Sequence, residues 1–326
     1  MMEIEFIRRW DSEKTEYSNW GGFVQKEIET KLQEKFNLDT GYFLKVPSMP
    51  RVKETSSLIE KAFHRGKDYE NPYDDITDKV GVRFVVLLST DIQKINRVVE
   101  DSEYWQWSRD RDFEKEREDK PELFDYQSVH YIVTSTPEAA LANGTFSAHL
   151  PCEVQIRTLM QHAYSELTHD AIYKPKTAAT PIAKRYCARA MALIETADEC
   201  FLGVMKQLEV VNKPIVDAMK MLEQKYKDIV GSEPDCSKFN SFILDEFVDK
   251  INDALDGRLD DFLKERPFVI ANIKKRAVDD FIYRQPVVLF IYLLAYLEPR
   301  QTKIRWPLTE AEIQPILDDL GIASEF

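Results

Sequence analysis

LPCEVQIRT, residues 150–158, alternates Val154 and Ile156 with Glu153, Gln155 and Arg157. Side chains two apart on a strand share a face, so this segment reads as a strand with one apolar and one strongly polar face. A polar face of this kind is either solvent-facing or the floor of an active site. Upstream, VGVRFVVLL at 80–88 is dense in β-branched and apolar residues, as an interior strand should be. YQSVHYIVTS at 126–135 is a further strand, separated from the first by a Pro/Asn/Gly turn region at 137–145. Around these strands the periodicity turns helical. Val24, Ile28, Leu32 and Phe36 recur at i+4 within the first 45 residues. Val52, Ser56, Ile59 and Phe63 predict a helix after Pro50 that Asn71 and Pro72 end, and another helix is expected over 91–102. The charged run RDRDFEKEREDK at 109–120 reads as an exposed loop or helix. From Met160 onward the pattern is helical, with Pro175, Pro181, Pro214 and Pro234 as breaks and GSEPDCS at 231–237 as a linker. The expectation is an α+β fold: a mixed β-sheet core flanked by helices, with an all-α C-terminal region. Three parts follow, at 1–45, 46–230 and 231–326.

Composition narrows the function classes. The net charge of −13 speaks against a general nucleic-acid binder, which usually carries a basic excess, but leaves room for a local basic pocket. Cys152, Cys187, Cys200 and Cys236 contain no CxxC pair, so neither a zinc site nor a redox motif is indicated. The N-terminus is too charged for a signal peptide, and the longest apolar run, PVVLFIYLLAYL at 286–297, is too short to span a bilayer. A cytoplasmic protein is expected.

Four clusters carry chemistry. Lys45, Arg51, Lys53, Lys61, Arg65 and Lys67 stand against only Glu54 and Glu60, a local positive excess that suits a triphosphate or, more plainly, a solvated helix face. Asp78 stands just before the 80–88 strand and Arg83 within it; a carboxylate at a strand mouth is a common magnesium ligand and an equally common turn residue. Tyr126, Ser128 and His130 share a strand face, where an aromatic, a hydroxyl and an imidazole suit a base, a sugar and phosphates. Glu153, Gln155 and Arg157 run into a helix bearing His162, Glu166 and His169; a carboxylate there suits a magnesium ion and a hydroxyl proton. The histidines lack a zinc-site spacing.

Taken in order, RVKETSSLIEK (51–61), ITDKVGVRF (76–84), YQSVH (126–130), EVQIRT (153–158) and HAYSELTHDAIYK (162–174) resemble the synthetase domain of the RelA/SpoT homologues, the alarmone (p)ppGpp synthetases. The resemblance covers about residues 45–175. It implies a nucleotidyltransferase-like core and a pyrophosphokinase that moves pyrophosphate from ATP to the 3′-hydroxyl of GDP or GTP. It implies that Arg51, Lys53, Ser57, Lys61 and Arg83 hold ATP and that Asp78 and Glu153 bind Mg2+, with Glu153 activating the hydroxyl. Tyr126 would stack on the acceptor base, beside Ser128, His130, Gln155 and Arg157, with His162, Glu166 and His169 in support. Two departures stand out: Asp125 replaces the glycine usual before the stacking tyrosine, and Arg109-Asp110-Arg111-Asp112 has arginine where the similar RxKD motif has lysine. No HD-type metal site marks a hydrolase domain, so a short synthetase without built-in degradation is expected.

Other readings stay open at this point. Toxic members of the family pyrophosphorylate the 3′-terminal adenosine of tRNA, which would need extra basic surface such as Lys174, Lys176, Lys184 and Arg185. An adenine acceptor would give (p)ppApp, and a module that only senses nucleotides need not keep both Asp78 and Glu153. In the tail, Phe242, Leu244, Phe247 and Ile251 offer an apolar face to the 286–297 helix. That region is either a fixed support or a regulatory domain meeting an antitoxin, a phage protein or a second copy of the chain.

Overall fold

The computed structural model describes residues 2–66, 68–124, 127–168 and 180–322. The chain forms two compact units, Met1–Val204 and Met205–Phe326.

In the first unit, helix α1 (Glu3–Phe36) precedes strand β1 (Arg51–Val52) and the short helix α2 (Thr55–Ile59), which continues as a π-helical turn over Glu60–His64. Then follow β2 (Val80–Val86), α3 (Ser89–Glu100), β3 (Trp105–Arg111), α4 (Phe113–Asp119), β4 (Val129–Ser135), α5 (Pro137–Asn143), β5 (Pro151–Thr158), α6 (Leu159–Thr168) and α7 (Pro181–Val230). The sheet order is β1-β2-β5-β4-β3. Among the described residues only β2 and β5 run parallel, with Gly81 opposite Glu153 and Arg83 opposite Gln155. β4 lies antiparallel to β5, placing His130 opposite Gln155. The sheet is therefore mixed, as the sequence predicts.

The two-residue alternation decides which face is covered. Val82, Phe84, Val154, Ile156, Tyr131 and Val133 share one core with Ile92, Ile95 and Val99 of α3 and Trp10, Trp20, Val24, Ile28 and Leu32 of α1. Cys152 is wholly buried in it, and burial pushes its thiol well above the ordinary range. Helix α1 comes very close to β2 at Gly21, where an added Cβ would stand 2.6 Å from Val80 Cγ2.

Several expected elements differ. The basic segment after Pro50 is not one helix: Arg51 and Val52 pair with Gly81 and Val80 as an edge strand, and the helix ends at His64 rather than Asn71. Pro72 instead opens a helical turn over Pro72–Asp75, a position where a missing N–H costs nothing. The run at 109–120 is partly strand: Arg109–Arg111 end β3, and only Phe113–Asp119 is helical. β3 is an edge, where charged residues discourage further pairing. The 137–145 turn region holds helix α5, with Pro137 in its first turn and Thr136 Oγ1 accepting the Ala139 N–H at 3.3 Å. Pro214 does not break α7; it lies inside it at an exposed position.

The second unit is helical throughout: the end of α7, α8 (Lys238–Glu246), α9 (Leu255–Glu265), α10 (Phe268–Arg276), α11 (Val288–Leu297), α12 (Pro299–Arg305) and α13 (Glu310–Asp319). Residues 231–237 form a non-helical connection, as their composition predicts. α11 is buried on all sides from Val288 to Ala295, the pattern of a central helix. Around it pack Leu222, Tyr226, Leu259, Phe262, Ile273 and Ile316. The expected α8 face is rotated: Ile243, Leu244 and Phe247 are buried, whereas Phe242 is exposed. Among the described residues no helix is long and apolar enough to cross a membrane.

Candidate active site

Opposite the apolar core, the other face of the sheet carries the polar side chains of β2, β5 and β4. Two carboxylates organise it. Asp78, in the turn before β2, pairs with Lys53 and accepts from Lys61 Nζ at 2.8 Å. The sequence places these lysines 8 residues apart, one after β1 and one in the π-turn after α2. The Lys53 N–H donates to the Lys79 carbonyl at 2.8 Å, which seats the segment against β2. Burial alone would push the Asp78 carboxyl up, but the two ammonium groups outweigh it and hold it below its ordinary value. Burial likewise lowers Lys53, with Asp78 opposing. Asp78 Oδ1 is buried without a hydrogen-bond partner among the described residues.

Glu153 is the second carboxylate. His130 Nδ1 lies 3.0 Å from its Oε1, and Gln155 Nε2 donates to its Oε2 at 2.8 Å. Arg157 in turn donates to Gln155 Oε1, so the polar row of β5 is a relay that fixes the glutamate. Burial raises the Glu153 carboxyl and the hydrogen bond from His130 lowers it; the net displacement is downward, with the Asp78 charge acting against it. The two carboxylates therefore feel each other and both stay ionised at neutral pH. Gly81 leaves room beside the glutamate: a Cβ there would stand a tight 3.3 Å from Glu153 O and in ordinary contact, 3.9 Å, with its Oε2. A glycine inside a strand often marks such a close approach.

Arg83 reaches across to α6, where its Nη1 donates to Glu166 Oε1 at 2.8 Å. His162 Nδ1 is 3.7 Å from the same oxygen. Burial, with Arg83 and Arg157 nearby, lowers the His162 pKa and keeps the ring neutral. Arg157 is buried, and Ser128 is buried with its hydroxyl donating to the Ile156 carbonyl at 3.2 Å. Arg51 is exposed on β1, and Ser57 is half-buried on α2. Thus Lys53, Lys61 and Asp78 come together, as do His130, Glu153, Gln155 and Arg157, and Arg83, His162 and Glu166. Lys45 turns away, donating to the Tyr42 carbonyl at 2.6 Å, and Arg65 pairs with Glu60 at 3.5 Å. Arg109 pairs with Glu100 and Asp112, and Arg111 with Glu116 at 2.9 Å. Tyr126, His169, Lys67, Asp125, Lys174 and Lys176 lie outside the described residues.

The site also has parts that the strand faces did not reveal. Gln127, Gln161, Glu195 and Asp198 form a buried hydrogen-bonded set where β4 begins and β5 ends. Gln127 lies inside YQSVH, but its partner Glu195 is 68 residues away, a pairing that no local pattern announces.

The chain is similar to known proteins in sequence region and in fold. The family model described as "Region found in RelA / SpoT proteins" matches residues 50–178. No curated protein sequence matches the chain. Among solved structures, small alarmone synthetase 1 from Bacillus subtilis is 19% identical, with 62% of this chain and 98% of that chain covered at a TM-score of 0.51. A GTP pyrophosphokinase family protein from Streptococcus pneumoniae is also 19% identical, with 64% and 96% covered at a TM-score of 0.50. Residues 50–178 thus match the region found in RelA/SpoT proteins, and the fold is similar to that of the small alarmone synthetases.

Proposed function

We propose that this chain is an ATP-dependent nucleotide pyrophosphokinase that transfers the β,γ-pyrophosphate of ATP to the ribose 3′-hydroxyl of GDP or GTP. One observation carries the reading. A carboxylate bridged by two lysines (Asp78 with Lys53 and Lys61) shares a sheet face with a carboxylate aimed by His130 and Gln155 (Glu153). In the reaction the 3′-oxygen bonds to the β-phosphorus, the α–β bridging oxygen leaves with AMP, and the hydroxyl proton passes to Glu153. A carboxyl held below its ordinary pKa is a weak base. It also orients the hydroxyl through a fixed acceptor oxygen. Lys53 and Lys61 neutralise the triphosphate, with Arg51 and Ser57 beside them and Arg83 along β2. On the acceptor side stand His130, Gln155 and Arg157, with Ser128 from the same segment; Tyr126, outside the described residues, is the side chain proposed to stack on the base. His162 and Glu166 support that wall from α6, and His169, outside the described residues, is proposed to do the same.

The residues fit a magnesium ion. Asp78 Oδ1 is a buried acceptor with no partner among the described residues, and Glu153 faces the same region. Magnesium is commonly held by one or two carboxylates plus substrate phosphates and water, which suits this pair. When bound, the ion supplies charge neutralisation at the transferred phosphates.

The test is to incubate the purified chain with Mg2+ and γ-labelled ATP, and in parallel GDP, GTP, AMP, unlabelled ATP and tRNA. The expected result is label on GDP or GTP with release of AMP. Label on an adenine nucleotide, or on the 3′-adenosine of tRNA, would move the acceptor. No transfer to any of them would leave a nucleotide-sensing module in place of an enzyme.

A further inference from the structure

The polar set at the start of β4 is anchored by one carboxylate from α7. Gln127 is 5% exposed, and its amide donates to Glu195 Oε1. The same Gln127 accepts from Gln161 Nε2 at 3.2 Å, and Gln161 Oε1 accepts the Thr158 N–H at 3.0 Å. Three residues further along α7, Asp198 Oδ2 accepts from the Thr158 hydroxyl at 2.8 Å. One helix face therefore holds both the entry of β4 and the exit of β5, the two strands that carry His130, Gln155 and Arg157. The second oxygen of Glu195 faces Arg117 Nη2 at 3.6 Å, and Glu199 lies at the same distance from that guanidinium. Glu195 is well shielded, with 12% of its side chain exposed, whereas Glu199 is open at 69%. Gln127 and Arg117 both line a cavity of about 380 Å3, together with Arg111, Lys120, Glu116 and Asp119.

We infer that Glu195 is a positioning residue for the acceptor nucleotide, acting by holding Gln127 and Arg117 in the wall of that cavity. The inference rests on the proposed pyrophosphokinase reading for the identity of the ligand. The strand order gives it a direction. Lys53 and Lys61 belong to the β1–β2 side of β5, whereas Gln127, Arg117 and the cavity belong to the β4–β3 side. Loss of Glu195 must therefore separate the two substrates. A buried carboxylate hydrogen-bonded to an amide orients it more strongly than a neutral oxygen does. A glutamine at 195 keeps an acceptor for Gln127 but gives up the charge facing Arg117.

The experiment measures kcat and KM for each substrate in E195A, E195Q and E199A. E195A should raise the acceptor KM about tenfold, leave the ATP KM within about twofold, and E195Q should fall between E195A and wild type. E199A should leave both KM values within about twofold, because Glu199 is open to solvent and its ion pair with Arg117 is screened. Equal rises in both KM values, or an acceptor KM that does not move, would overturn the inference; so would an E199A effect as large as that of E195A. If wild type forms no product, the pyrophosphokinase reading fails, and GDP binding by equilibrium dialysis then decides this one. A GDP Kd weakened about tenfold in E195A and partly restored in E195Q sustains the positioning role, and an unchanged Kd, or no GDP binding at all, overturns it.

Discussion

At the scale of single residues, the site depends on carboxylates kept ionised despite burial. For Glu153 the balance is burial against His130 and Gln155, and the net shift is downward. Glu153→Gln should lower pyrophosphate transfer by about 10²–10⁴-fold while circular dichroism shows an unchanged fold. A near-normal rate would remove the proton-accepting role. The same depression has a stability consequence. A carboxyl whose native pKa is below its unfolded value stabilises the fold above the unfolded pKa, about 4.3, and loses that contribution as pH falls through the native pKa. Thermal unfolding of wild type and Glu153→Gln should therefore differ most near pH 7 and converge in acid. Asp198 has the opposite sign. Burial raises its carboxyl, and the Thr158 hydroxyl only partly offsets this. Its stabilising contribution is present below the unfolded pKa and is lost as pH rises through the native one. Asp198→Asn keeps an acceptor for Thr158 and should be more stable than wild type at pH 7 but equal to it near pH 3. Glu153, Gln155 and Arg157 were legible because a strand's two-residue period writes its face directly into the sequence. Glu195 and Asp198 were not, because their partners are 68 and 40 residues distant.

At the scale of elements, α1 and β2 meet with almost no clearance. Two adjacent glycines in α1 separate packing from propensity. At Gly21 an added Cβ meets Val80 Cγ2 at 2.6 Å, whereas at Gly22 nothing lies within 4 Å. Gly21→Ala should destabilise by about 1–3 kcal/mol through overpacking. Gly22→Ala should stabilise by about 0.5–1 kcal/mol, because alanine loses less backbone entropy in a helix. Denaturant unfolding of the two variants checks both signs, and equal effects would show that the helix does not approach β2 this closely. The interior strand β2 was plain from its apolar run and β5 from its two-residue alternation, and α3 lies where a helix over 91–102 was expected. The edge strand β3 was hidden because its exposed ladder tolerates the charges of a loop, and α5 because Pro137 reads as a turn unless Thr136 is recognised as its cap. Arg51 reads as helical from a basic segment whose first two residues instead pair with β2.

At the scale of the whole chain, each of the two units has its own apolar core. The second is centred on α11, whose burial on every side was foreshadowed by an apolar run too short for a membrane. Phe290→Ala should cost that unit about 3–5 kcal/mol, read as faster amide hydrogen exchange across residues 255–297. The first core contains a reporter of its own integrity. Of the four thiols, Cys200 and Cys236 are exposed and Cys187 is partly so, but Cys152 is sealed between β2 and β4 with its thiolate strongly disfavoured. An alkylating reagent reaches it only while the sheet is open. With the other three cysteines replaced by serine, the labelling rate of Cys152 becomes a clock for the opening of the sheet in otherwise native protein. A nucleotide that closes the sheet face would slow that clock without any chemistry having taken place.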